Sequence, residues 1–249
     1  MPIKKGDFVL VDFVAKVKET DEVFDTTIEE EAEKSGIRKE DSKYEPLLVV
    51  VGERWVLRSL DDAIVGMNTN DSKTIEILPQ DGFGLRDPSK VRLMALRRFR
   101  NHQGPIVPGA RVEVDDRVGS IRTVGAGRVQ VDFNPPLAGK TLIYNLTVKK
   151  RITRKKEKTS SLVHRRMPTV DVEKLVINLK KKKVEFKFPE EFYYVQGLQY
   201  AKRGLASDIQ KFFDSVDVVS FVEEFSRPET EAKPLEEEQK QEAKKEDSQ

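Results

Sequence analysis

Few side chains in this sequence can do covalent or proton-transfer chemistry. There are no cysteines and only two histidines in 249 residues. His102 and His164 each lie in a polar stretch, where a surface histidine is ordinarily inert. No HExxH, no His–Cys cluster and no carboxylate cage is present, so no metal is expected. No GxxxxGK(S/T) or GxGxxG follows a strand-like run, so no nucleotide cofactor is expected. Acid–base and nucleophilic enzymes thus lose their usual tools. What stands out instead is a set of apolar side chains at strand ends and turns: Phe13, Phe24, Val56, Leu57, Leu60, Phe83 and Tyr144. Core packing accounts for any one of them alone. Phe83 is the exception, because in "LPQDGFG" a ring stands between two glycines in a turn that should be polar. It has no obvious core address and is read as part of the wall of an apolar pocket.

Periodicity shows which elements must hold these residues. "DFVLVDFVAKVK" (Asp7–Lys18) alternates β-branched and aromatic residues and predicts a strand. "YEPLLVVVGE" predicts a second at Leu47–Val51 and "DSKTIEILP" a third at Lys73–Leu78. "TIEEEAEKSG" has weak helical character ending at Gly36. "RWVLRSLDDAIVGM" sets Leu57, Leu60, Ala63 and Ile64 at helical spacing before Gly66. After Phe83 come "SKVRLMALRRFR", "ARVEVDD", "GSIRTVGAG" and "RVQVDF", short alternating segments separated by glycine turns, which predict a small β unit. "KTLIYNLTVKKRI" predicts a strand over Thr141–Ile152.

"RITRKKEKTSSLVHRRMP" is basic and poor in apolar residues, and is expected to be a linker. Beyond it, "EKLVINLKKKKVEFKF" predicts two strands joined by a lysine turn. "EEFYYVQGLQYAKRGLASDIQKFF" predicts a helix with Leu198, Ala201, Leu205, Ile209 and Phe212 on one face. "VDVVSFVEEF" completes a ββαβ order, a second α+β unit. From Ser226 the composition is Glu, Lys, Gln and Pro, expected to be disordered. Hydrophobic content of 37% supports a core, and a net charge of +2 argues against a general polyanion binder. No run approaches the ~20 apolar residues of a membrane span, and "MPIKKGDFVLVDF" is not a signal peptide. Absence of cysteine suits a cytoplasmic location.

The ordered set "VFDTT", "VGERWVLRSLDDAIVGM", "LPQDGFG" and "LAGKTLIYNLTV" resembles the FKBP-type peptidyl-prolyl isomerases, over roughly residues 5–87 and 135–150. The block between Phe83 and Leu137 is long for that family's flap loop. It is similar to the insert-in-flap domain of the SlyD-like branch, with Leu137–Lys140 marking the return. The segment after Asp25 and the ββαβ unit are similar to the long archaeal version of the family. The resemblance implies an α+β fold, an antiparallel half-barrel sheet wrapped on a short helix. It further implies an isomerase domain at 1–87 and 135–151, an inserted chaperone-like β domain at 88–134, a C-terminal α+β domain at 152–227, and a charged tail at 228–249.

Carried onto this chain, the family's pocket ring falls on Phe13, Phe24, Leu47, Val56, Leu57, Phe83 and Tyr144. Asp25 matches the aspartate after the first-motif phenylalanine. Leu60 stands at the floor, where many relatives have tryptophan. Phe13 and Phe83 stand where many have tyrosine, so the pocket stays apolar but loses hydroxyls. Such a pocket needs no proton transfer, because a twisted X-Pro amide is less polar than a planar one. Asp25 is then an electrostatic or hydrogen-bonding element, or simply a turn residue.

The implied partners are unfolded or proline-containing polypeptides, and no membrane. Candidate client contacts on the insert are Val91, Leu93, Met94, Leu96, Phe99, Val131 and Phe133, some of which must instead fill the insert's own core. Phe192, Tyr193 and Tyr194 are expected to be exposed, making the C-terminal unit a candidate chaperone surface or homodimer contact. Two rival readings are a holdase with little isomerase activity and a weak ribosome or nucleic-acid contact. The latter would use the basic segment 149–166 and "RRFR".

Overall fold

A computed structural model describes residues 1–100 and 102–225. The chain opens with β1 (Phe8–Val17), β2 (Val23–Thr26), α1 (Glu29–Lys34), β3 (Leu47–Val50), α2 (Arg58–Ile64) and β4 (Ser72–Ile77). The insert follows as β5 (Val91–Ala95), β6 (Arg111–Val114), β7 (Arg117–Gly125) and β8 (Arg128–Asp132). Next come β9 (Leu142–Ile152), α3 (Lys155–Arg166), β10 (Val176–Leu179), β11 (Lys183–Lys187), α4 (Leu198–Phe212) and β12 (Val218–Val222). The fold is α+β, as the sequence implies.

The first sheet runs β2-β1-β9-β4 with β3 also paired to β1, and every pairing is antiparallel. Alternation decides its faces. Val9, Val11, Ala15 and Val17 of β1 are buried on one side, as are Leu142, Tyr144, Leu146 and Val148 of β9. Onto that side α2 lays Leu60 and Ile64, joined by Ile75 and Ile77 of β4. Burying each such aliphatic contributes roughly 1.5–3 kcal/mol, so the strip is the main stabilising feature of this domain.

The chain leaves this sheet after β4 and returns on β9, and Ile77 is paired directly with Leu142. Exit and return are therefore adjacent, and what lies between them costs the sheet only a loop closure. The insert uses that freedom to build its own sheet, ordered β5-β8-β7-β6. Its core is Met94, Phe99, Val112, Val114, Ile121, Val129 and Val131, with Phe133 packed on the margin. Met94, Phe99 and Val131 are thus withdrawn from the client-facing surface expected of them. A small unit needs its apolar residues inside. Asp115 and Asp116, at φ 53° and 58°, form the two-residue hairpin turn between β6 and β7. At Gly119 a Cβ would lie 2.6 Å from Val131 Cγ1 and 3.0 Å from the Asp132 carbonyl oxygen, so only glycine fits.

The second compact unit begins at Thr159, within α3. The basic stretch expected to be a linker is therefore a helix over Lys155–Arg166. Its apolar seam is short, but Thr159, Leu162 and Val163 are fully buried. Arg166 makes a two-pronged contact with Asp208, at 2.6 and 2.8 Å. In the three-stranded sheet β10-β11-β12, β11 and β12 are parallel, which requires a crossover, and α4 supplies it. Leu198, Leu205 and Ile209 face inward as the spacing predicts. The helix does not run through "EEFYYVQG"; Gly197, at φ 78°, starts it instead. Of the three aromatics expected to be exposed, Phe192 is buried and the Tyr193 hydroxyl is bonded to the Glu224 backbone at 2.7 Å. Tyr194 alone matches, at 82% exposed.

Among the described residues no helix is long and apolar enough to cross a membrane. The expected disorder from Ser226 onward lies outside the described residues. Gly119→Ala should destabilise the insert by about 1–3 kcal/mol through overpacking. Limited proteolysis of residues 88–134 should accelerate accordingly; a cleavage rate equal to the parent's would show that the sheet has room to give.

Candidate active site

Register brings the site together. Asp25 on β2 and Tyr144 on β9 are both paired with Ala15 on β1, and Ile75 on β4 is paired with Tyr144. The four residues form one row across the sheet, on the face that carries the core. Ala15 is the small member of the row and is fully buried. Its methyl group is the smallest side chain between the carboxyl and the phenol. Beside the row, the Phe13 and Tyr144 rings lie 5.7 Å apart, and Phe24 meets Tyr144 edge to face at 6.0 Å. Phe13, Phe24, Val56 and Leu57 are half-buried and pack against the cluster containing Leu60 and Tyr144.

Two sets of polar contacts hold these apolar groups in place. The hydroxyl of Thr26 donates to the Phe13 carbonyl at 2.8 Å, and the Phe13 N–H donates to the Thr27 hydroxyl at 2.9 Å. Thr27 in turn donates to Asp12 at 3.0 Å. "DTT" is thereby stitched to β1 around Phe13, which fixes Phe24 and Asp25 relative to it. On the opposite side, Asp61 of α2 is almost fully buried. Its carboxylate accepts from Gly52 N–H at 2.8 Å and Arg54 N–H at 3.1 Å. That clasp ties the turn after β3 to the start of the helix and so sets Val56 and Leu57 between two anchored points.

Two predicted members stand apart. Phe83 lies in a turn closed by Gly84 N–H to the Pro79 carbonyl, is 43% exposed, and makes no ring contact among the described residues. Leu47 is on the same face of β3 as Val49 and Val51 but at the strand's end, 39% exposed. Both sit outside the packed cluster.

The electrostatics are simple. Asp25 is accessible along its strand, yet desolvation by the surrounding residues raises its carboxyl pKa, offset in part by the Thr26 backbone and Lys39. Tyr144 is pushed up to about 12, first by burial and then by the neighbouring Asp25 charge. The phenol is therefore protonated across the physiological range. Neither histidine belongs to the cluster, and no group of metal-ligating side chains occurs among the described residues.

Ala15, Thr26, Thr27 and Asp61 are the site residues that periodicity does not reveal. The signals were present as Asp-Thr-Thr after Phe24 and as an acidic residue in the first turn of α2. Their partners are backbone groups, and those are visible only in three dimensions.

A short-type peptidyl-prolyl cis-trans isomerase of Methanocaldococcus jannaschii is 33% identical over 147 residues, covering 59% of this chain and 92% of that protein. The chain belongs to the FKBP-type peptidyl-prolyl cis-trans isomerase family. The family model described as FKBP-type peptidyl-prolyl cis-trans isomerase matches residues 1–110. Those for the FKBP26 IF domain and the FKBP26 C-terminal region match residues 92–137 and 155–226. An FKBP-type 16 kDa isomerase of Escherichia coli is 26% identical over 107 residues, covering 41% of this chain and 72% of its own. SlyD of Helicobacter pylori is 25% identical over 107 residues, covering 42% and 58%.

In this FKBP-type isomerase the Asp61 clasp should matter for stability as well as geometry. Hydrogen bonds to a charged group contribute about 1.5–3 kcal/mol, so Asp61→Ala should lose about that much in urea denaturation. A loss under ~0.5 kcal/mol would mean that water replaces the carboxylate without cost.

Proposed function

We propose that this FKBP-type isomerase accelerates X-Pro rotation in unfolded polypeptide chains at the ring cluster on the β1–β9 face, while the insert holds the client. The observation that carries the reading is the packing of Phe13, Phe24 and Tyr144 against Leu60, open to solvent beside a single desolvated carboxyl. The barrier to rotation is about 18–20 kcal/mol because resonance holds the amide flat. Twisting the bond removes the resonance, and the carbonyl becomes less polar. An apolar surround therefore disfavours the planar ground state more than the twisted state, and that difference lowers the barrier. Proline is assigned to the floor at Leu60, with Phe24 and Tyr144 as inner walls and Phe83 as the outer wall. Val56 and Leu57 line the entry, and Leu47 is the rim contact. Asp25 orients the imide without taking a proton.

The client surface on the insert is assigned to Leu93 and Leu96, both exposed, and to Val91 and Phe133 at its margin. Val107, Val118 and Val124 are further exposed apolar groups on the same domain. Tethered binding there would raise the client's effective concentration at the pocket to about the millimolar range. In the C-terminal unit, exposed Tyr194, Tyr200 and Phe225 are the candidate dimer or chaperone contact.

The nucleic-acid reading of segment 149–166 ranks lower because much of its charge is engaged within the protein. Lys149 pairs with Asp12, Arg151 with Asp7 and Arg166 with Asp208, while Lys158 lies 4.7 Å from the Phe8 ring.

Removing residues 88–134 and joining Asp87 to Pro135, on the segments that lead from β4 and into β9, should leave proline-tetrapeptide isomerisation, followed by isomer-specific proteolysis, within about twofold of the parent. Catalysed refolding of a proline-limited protein should slow by about tenfold or more, the share owed to tethering. Equal losses in both assays would remove the division of labour, and no tetrapeptide activity in the parent would leave the holdase reading.

A further inference from the structure

The insert carries more positive charge than the whole chain. Residues 88–134 hold nine lysines and arginines against four acidic residues, whereas the full sequence has a net charge of +2. Three of the arginines are engaged locally. Arg98 pairs with Asp115 at 2.7 Å, Arg122 approaches Asp132 at 3.7 Å, and Arg117 lies 5.0 Å from the Phe133 ring. Arg97 and Arg128 are exposed and make no ion pair among the described residues; Arg92 is exposed too, but its pairing with Val131 puts it on the other side of the sheet. Register places Arg128 between Ala95 and Gly125, two residues too small to cover it. Diagonal to it on that sheet face is Leu93, 58% exposed. Leu96 and Arg97 follow where the Leu96 N–H donates to the Gly127 carbonyl, at 2.8 Å.

We propose that this face of the insert selects client segments that carry carboxylates next to apolar side chains. The inference rests on the insert holding the client, and it names the client's chemistry. Arginine forks match carboxylates in a bidentate fashion, while Leu93 and Leu96 supply the apolar part. Nucleic acid fits the same face poorly. Single strands need exposed aromatic rings to stack on, and the insert's two, Phe99 and Phe133, are respectively buried and covered by Arg117.

The test uses the full chain and two labelled, unstructured fifteen-residue peptides of equal leucine and phenylalanine content, one with four glutamates and one with four lysines. Fluorescence anisotropy should give the glutamate peptide an advantage of about tenfold at low salt, falling away at 0.5 M as screening predicts. R97E/R128E should reverse the preference without changing tetrapeptide turnover. Equal binding of the two peptides overturns the charge selection while leaving the client role of the insert standing. No binding of either overturns both. A single-stranded RNA oligonucleotide that binds more tightly than the glutamate peptide assigns the face to nucleic acid instead.

A separate observation concerns Tyr144. Its ring is 6% exposed, its hydroxyl makes no hydrogen bond among the described residues, and that hydroxyl is not one of the sealed, unpartnered polar atoms. A donor is thus held at the open side of an otherwise apolar cluster, near Asp25. We infer that the Tyr144 hydroxyl donates to the prolyl nitrogen of the twisted bond, given the pocket assignment above. In the planar amide that nitrogen's lone pair is delocalised and accepts poorly. On twisting it becomes localised and accepts well, so the hydrogen bond strengthens only at the top of the barrier. No bond is made or broken and no proton is transferred. Tyr144→Phe should lower kcat about threefold to tenfold with KM within twofold and an unchanged melting temperature, the scale of one neutral hydrogen bond. A kcat equal to the parent's, or an effect confined to KM, overturns the role while leaving the apolar pocket intact.

Discussion

β1 is the constraint on which the rest depends. It pairs with β9 along its whole length and with β2 and β3 on its other edge, so nearly all of its backbone groups are committed. Two register irregularities, at Leu10/Val11 and at Ala15/Lys16, let one strand serve three partners. The second lies beside Ala15, where β2 brings Asp25 into the row with Tyr144. The threonine contacts around Phe13 lock that end of the pairing. A one-residue slip would send Phe13 and Ala15 to the opposite face and dissolve the site.

An apolar site with one carboxyl and no histidine tolerates a division that most enzymes cannot. Its polar residues are structural: Thr26, Thr27 and Asp61 each satisfy backbone groups, and none is needed for bond making. In the proposed mechanism its apolar residues carry the function, because the reaction requires only a change in solvation and shape. On that proposal the site is built from packing, and what would tune it is small: a methyl at Ala15, a hydroxyl at Tyr144, a desolvated Asp25.

In the client-holding role proposed for it, the insert meets a conflict between binding and packing. Its apolar residues are few, and the best of them, Met94, Phe99 and Val131, are needed inside. What remains at the surface is a thin set of leucines and valines among arginines. Affinity from apolar area alone is then limited, and in the proposed role charge supplies the discrimination.

Much of this was legible in the sequence. β1, β3, β4 and β9 follow from alternation and α2 from its apolar spacing, since both periods are imposed by backbone geometry on any chain that buries one face. Phe13, Phe24, Val56, Leu57, Leu60 and Tyr144 stood out as apolar groups at strand ends and turns and do pack together, whereas Phe83, out of place in a polar turn, lies outside their cluster. Other features were not local. The α3 segment looked like a linker because its burial rests on Thr159, Leu162 and Val163, too short a seam to register against so much charge. The roles of Ala15, Thr26, Thr27 and Asp61 depend on partners elsewhere in the chain, as does the inward turn of Met94 and Phe99. Sequence determined which segments are strands and helices and which side chains are apolar, because those are properties of neighbours along the chain. Only the tertiary structure decided which of those side chains meet, because register and long-range pairing bring together residues as far apart as Phe13 and Tyr144.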